Sequence, residues 1–196
     1  DVGGAYGPFL KEAAAGGYRA TGVDISSDAV AYVRDNLGIP AYAGRFPSDF
    51  RSKAEFETES FEVVTMWFVI EHFAELETVL EEVRRLLVPG GVFAFSTPNY
   101  RGISGRRDIE AFLSKSPRDH HSVWSPRSAK RILEDYGFRV EKTVSTGHHP
   151  ERFPLVEKIR SFGERRKGAL FHFLRGVSTI FALGDTFEVY ARKRDE

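Results

Sequence analysis

The chain has 196 residues, enough for one α/β domain with a full core. Its 28 basic and 28 acidic side chains cancel, so no global field favours nucleic acid or an anionic membrane surface. The absence of cysteine excludes disulfides, thiolate metal sites and cysteine nucleophiles, and it fits a reducing compartment such as the cytoplasm. No apolar run is long enough to cross a bilayer. The chain opens inside a motif and without a Met, so we expect its front to have been trimmed.

That opening stretch, Asp1-Val2-Gly3-Gly4-Ala5-Tyr6-Gly7, reads as a turn from a parallel strand into a helix. Glycines there permit positive φ and a close approach of the backbone to a ligand. The following helix adds free N–H groups and the positive end of its dipole. Pro8 fits the first helical turn, where its missing N–H costs nothing, and Gly16-Gly17 stop the helix. Residues 18–25 read as a strand that ends on Asp24 and Ile25. Ser26 or Ser27 caps a helix lined by Val30, Val33 and Leu37 and closed by Gly38. Residues 39–43 form a short strand, and residues 44–60 read as loop plus a short helix.

Residues 61–69 are apolar on both faces, as in a parallel strand covered by helices. Leu76, Val79, Leu80, Val83 and Leu87 recur at helical spacing until the Val-Pro-Gly-Gly stop at 88–91. Residues 92–96 form the next strand. Residues 101–124 form a polar, basic loop, longer than a plain connector. Ser125 caps a helix carrying Ala129, Ile132 and Leu133, and Gly137 ends it. Residues 138–144 and 186–192 are the last strands, with a loosely amphipathic helical stretch at 148–183 between them. The alternation predicts an α/β fold: a doubly wound, Rossmann-like, mostly parallel seven-stranded sheet with an antiparallel last strand.

A glycine-rich turn followed by Asp24, about 20 residues on, describes a nucleoside site whose acid accepts ribose hydroxyls. The spacing Gly3, Gly4, Gly7 does not fit the G-x-G-x-x-G dinucleotide fingerprint, which disfavours a nucleotide-dependent oxidoreductase. The ordered segments DVGGAYGPFL, GVDIS, FEVVTMWFVIEHF, LLVPGGVFAFSTPN and ILEDYGFRV resemble the class I S-adenosylmethionine-dependent methyltransferases, in particular the ubiquinone-biosynthesis O-methyltransferase group. The resemblance runs from Asp1 to about Thr146 and takes in the last strand.

It implies a single methyltransferase domain over residues 1–196, with 101–124 as a lid loop and 148–183 as a helical insertion. It also implies S-adenosylmethionine as cofactor. Asp1, Gly3, Gly4, Ala5 and Gly7 would wrap the methionine part, with Ala5 standing where the family has its middle glycine. Asp24 and Ile25 would hold the ribose, Arg45 and Phe46 would flank the adenine, and Trp67 and Phe68 would lie beside the methionine moiety. Arg45 replaces the aspartate usual in relatives.

Three histidines, His72, His120 and His121, are the catalytic candidates, with His121 preferred to His120. His72 stands past the fourth strand in the Glu71-His72 pair, and His121 lies in the Asp119-His120-His121 run of the lid. Histidine is the natural base near neutral pH. Small-RNA 2′-O-methyltransferases resemble the chain at Glu71-His72 and hold a metal through E-x-x-E-H, but here the first acid is Phe68. The expectation is therefore metal-independent methyl transfer to oxygen of a small molecule. Metal-assisted RNA methylation and a non-catalytic binding module with an eroded site are the alternatives. Phe171, Phe173 and Phe181 hint at a hydrophobic acceptor, with plain core packing the simpler reading and a homodimer contact a third.

Overall fold

The computed structural model describes residues 1–153 and 164–195. The glycine turn leads into helix α1 (Pro8–Ala15), strand β1 (Gly22–Asp24), helix α2 (Ser27–Leu37) and strand β2 (Ala41–Ala43). Then come β3 (Phe61–Trp67), α3 (Leu76–Leu86), β4 (Leu87–Pro98) and two short helices, α4 (Ile103–Arg107) and α5 (Ile109–Lys115). Helix α6 (Pro126–Asp135), β5 (Phe138–Thr146), α7 (Glu164–Ile180) and β6 (Thr186–Lys193) complete the described chain.

Strands β1 and β2 pair in parallel, and a second sheet has the order β3-β4-β6-β5, with β3 and β4 parallel and β6 antiparallel to both of its neighbours. The first residues of the chain join the two sheets. Val2 bridges Val23 in parallel and donates its N–H to the Thr65 carbonyl at 2.9 Å, while the Val23 N–H donates to Asp1 at 2.9 Å. The described residues thus form six strands rather than seven. Val2 and its neighbours Asp1 and Gly3 lie between β1 and β3.

Local signals set the helix ends. The Ser26 side chain accepts from the Ala29 N–H, and Gly38 closes α2 at φ 65°. Ser125 and Ser128 form a reciprocal cap on α6, with Pro126 in its first turn. The main core gathers Met66, Ile70, Leu80, Leu87, Phe93, Phe95, Leu133, Phe138 and Phe187, and a smaller one gathers Leu10, Val30, Val33, Ile39 and Ala41 around α1, α2 and β2.

Three expectations need correction, and one stretch agrees. β3 is buried only at Val64, Thr65 and Met66, and Val63 is 42% exposed, because on that edge the strand meets only Val2. The stretch 44–60 is loop plus a short helical turn at Ala54–Phe56, as expected. Phe46, Phe50 and Phe56 enter the main core, and Arg85 ties the stretch to α3 by donating to the Phe56 carbonyl and to Glu82. Residues 101–124, expected as a loop, carry the two helices α4 and α5, with the Asp108 side chain capping the second. On α7, Leu174 and Ser178 are buried, but Phe173 and Phe181 are exposed and so are not core. The basic positions 158 and 160 of the predicted tail helix lie outside the described residues.

Candidate active site

The turn from Gly3 to Gly7 is built on alternating left-handed residues. Gly3, Ala5 and Gly7 have φ of 70°, 45° and 75°, a conformation that favours glycine. Glycine at position 3 is also a packing requirement, since a Cβ there would lie 2.3 Å from Cγ2 of Val69. This close approach seats the turn against the end of β3. Asp1 lies beneath it: its Oδ1 accepts from the Thr65 hydroxyl at 2.8 Å, and its Oδ2 lies 3.1 Å from where a Gly4 Cβ would sit.

Asp24 holds the outer side. Its Oδ2 accepts the Ala5 N–H at 2.8 Å and its Oδ1 the Ser26 N–H at 2.8 Å. An ionised carboxylate has about four lone-pair sites, so two bonds leave room for ligand hydroxyls. Tyr6, Ile25 and Phe68 are exposed apolar side chains around the turn and at the ends of β1 and β3. Phe68 takes a positive φ of 57°, with its N–H held by the Ser96 carbonyl at 3.0 Å. Trp67 packs on Phe9 of α1 at 5.2 Å between ring centroids, and its indole Nε1 is buried without a protein partner.

The two residues expected to flank the adenine differ in exposure. Phe46 is buried in the core, with its ring 6.3 Å from that of Phe73, so it is not an open face for a purine. The Arg45 side chain is exposed, and its N–H donates to Asp49 Oδ2 at 2.8 Å. That bond, followed by one from Ser48, lowers the pKa of the Asp49 carboxyl. Asp49 supplies an acid to this loop that sequence reasoning missed, because it lies four residues beyond the expected position.

At the far side of the turn, Val69 leads into a short helical turn at Ile70–His72. Glu71 is almost fully buried, its Oε2 has no hydrogen-bond partner, and burial raises its pKa. His72 is half-exposed, with Nδ1 3.1 Å from Asp119 Oδ2. The lid histidine that meets it is His120, whose ring stands edge-on to His72 at 4.6 Å. His121 is exposed and reaches this turn through its backbone, the N–H donating to the Glu71 carbonyl at 2.8 Å. Of the two candidate histidines in residues 101–124, His120 is the one whose ring meets His72. Glu71, His72 and His120 place one donor atom each within 4.8 Å of one another, a set able to hold a divalent ion.

Residues 1–143 match the family model described as "Methyltransferase domain". The chain is 26% identical over 162 residues to a ubiquinone biosynthesis O-methyltransferase of Paramagnetospirillum magneticum, a stretch covering 76% of this chain and 62% of that protein. It is 27% identical over 159 residues to the protein of the same name from Thiobacillus denitrificans, covering 75% and 67%. The chain thus spans about two-thirds or less of the length of these relatives. A crystal structure of a SAM-dependent methyltransferase from Archaeoglobus fulgidus shares the fold, with a TM-score of 0.68 and 18% identity over 98% of this chain and 84% of that one. With the family match covering well over half of its residues, the chain belongs to the class I S-adenosylmethionine-dependent methyltransferases.

Proposed function

We propose that the chain transfers a methyl group from S-adenosylmethionine to a hydroxyl oxygen of a small molecule, with His72 as the base. The observation that carries the reading is the placement of His72. A half-exposed imidazole stands three residues past Val69, the residue packed on the glycine turn. The O-methyltransferase names of the two relatives support oxygen as the acceptor atom.

The residues present fit the cofactor. Gly3 leaves a cradle that a Cβ would fill, Asp24 keeps lone pairs for ribose hydroxyls, and the orphaned Trp67 Nε1 is a donor without a protein acceptor. Gly3, Gly4, Ala5 and Gly7 would hold the amino-acid part, with Asp1 beneath them, and Asp24 the ribose. When bound, S-adenosylmethionine supplies a methyl group whose bonding pair stays on sulfur as the acceptor oxygen bonds to carbon. The protein positions the two reactants in line, a contribution of ~7–11 kcal/mol. His72 takes the hydroxyl proton, which adds roughly 10²–10⁴-fold. Tyr6, Ile25 and Phe68 give the mouth apolar surface for an aromatic or hydrophobic acceptor.

Calorimetric titration with S-adenosylmethionine and transfer of labelled methyl to a panel of phenols test the reading. The expected result is binding, together with activity that His72→Gln reduces by at least ~100-fold. Binding without transfer to any phenol would sink the O-methylation reading, and no binding would sink the enzyme reading altogether. Activity that disappears with a chelator and returns with a divalent ion would instead make Glu71, His72 and His120 a metal centre.

A further inference from the structure

Four consecutive lid residues converge on the Glu71-His72 turn. Asp119 meets His72 Nδ1 at 3.1 Å, and the His120 ring stands against the His72 ring. His121 and Ser122 both donate backbone N–H groups to the Glu71 carbonyl, at 2.8 and 3.3 Å. The segment is itself fixed. The His120 N–H closes a turn on the Pro117 carbonyl at 3.1 Å. Buried Trp124 donates its indole N–H to Ser122 Oγ at 2.7 Å, and its carbonyl accepts the Tyr100 N–H at 3.0 Å.

The Asp119 side chain is 70% exposed and that of His72 37% exposed, and a pair this open adds little to stability. Its consequence is orientation. In a neutral imidazole one nitrogen carries the proton and the other the lone pair, and the hydrogen bond made by one decides the state of the other.

We propose that Asp119 is a positioning residue. Seated on His72 by the lid, its carboxylate accepts the Nδ1–H and so leaves the lone pair on Nε2, toward the acceptor. The inference rests on the reading of His72 as the base. The proton leaving the acceptor hydroxyl then binds at Nε2, the nitrogen that Asp119 does not hold. Orientation of the base is thereby tied to seating of the segment that follows α5, so an unseated lid leaves His72 without its fixed tautomer.

The test begins with ¹⁵N NMR of the imidazoles, with His72 assigned by loss of its signals in His72→Gln. The wild-type protein and Asp119→Glu should show His72 as the Nδ1–H form, and Asp119→Ala should shift it toward the Nε2–H form. The same tautomer in wild type and Asp119→Ala would overturn the proposal. With a phenol acceptor, Asp119→Ala should lower kcat by roughly 10–100-fold, a share of what a base supplies. KM for S-adenosylmethionine should stay unchanged, and Asp119→Glu should recover most of the rate. Loss through KM alone would also overturn it. If the wild-type protein methylates no phenol, the function reading fails, while the NMR comparison still decides whether Asp119 sets the His72 tautomer.

Discussion

The contact between Gly3 and Val69 places the glycine turn against the chain that leaves β3, and Gly3→Ala tests it directly. Two costs are separable. A residue with a Cβ at φ 70° pays ~1–2 kcal/mol for the left-handed conformation, against ~0.4–1 kcal/mol regained through a stiffer unfolded chain. The new Cβ would also lie 2.3, 3.1 and 3.3 Å from Cγ2, Cγ1 and Cβ of Val69. With three atoms of one short side chain in the way, rotation of Val69 does not clear the space. Either the turn or the end of β3 must shift, at ~1–3 kcal/mol.

The net loss should be about 2–4 kcal/mol by urea denaturation, read as a fall in midpoint at constant slope. Val69→Ala alone should cost about 1 kcal/mol for its lost methyl groups. In the double variant most of the overlap is gone and only the backbone cost remains, so the two losses should fall short of additivity by ~1–3 kcal/mol. Strict additivity would refute the reasoning, because the penalty would then not come from Val69. Affinity for S-adenosylmethionine should follow the same cycle.

Asp24→Ala removes the acceptor for the Ala5 and Ser26 N–H groups, and it should weaken S-adenosylmethionine by roughly 10–100-fold in calorimetry; an unchanged Kd would remove the ribose assignment. Ala5→Gly relieves a non-glycine residue at φ 45°, and after the entropy cost of glycine the gain should reach up to ~1 kcal/mol, or about 2–4 °C in Tm. A drop in Tm would show that the turn does not hold Ala5 in that conformation. Glu82 is fully buried, yet Arg85 and Arg51 outweigh the effect of burial and hold its carboxyl below the usual 4.5. Its contribution is therefore present above pH 4.5 and lost as the pH falls through the lowered value. Glu82→Gln should cost ~3 kcal/mol at pH 7 and flatten the acid limb of stability against pH; an unchanged limb would mean the pair carries no linkage.

The fold was legible because its signals are local. Ser26, Gly38, Ser125 and Gly137 end or cap helices through bonds within one turn, and these are written in neighbouring residues. The glycine turn and Asp24 were legible for the same reason, since strand, turn and acid follow one another along β1 and α1. The 44–60 stretch was legible as loop plus a short helix, but the burial of Phe46, Phe50 and Phe56 was not, because their partners are distant in sequence. Periodicity cannot register burial that no regular element produces.

The same distinction explains why the sequence did not tell which residue of the Asp119-His120-His121 run meets His72. His72 is fixed by a short turn that starts at Val69, so its place follows from β3 alone. Asp119, His120 and His121 are adjacent, and their side chains take different directions. Which of them meets His72 depends on where the Glu71 carbonyl captures the chain, and that is decided at His121 and Ser122. Once the backbone N–H of His121 is spent on Glu71, the two residues before it are the ones brought over His72, and the carboxylate of Asp119 falls on Nδ1. The backbone bond thus selects the side chain. This is why an isolated Asp-His-His run points to a site without telling which of its members acts there.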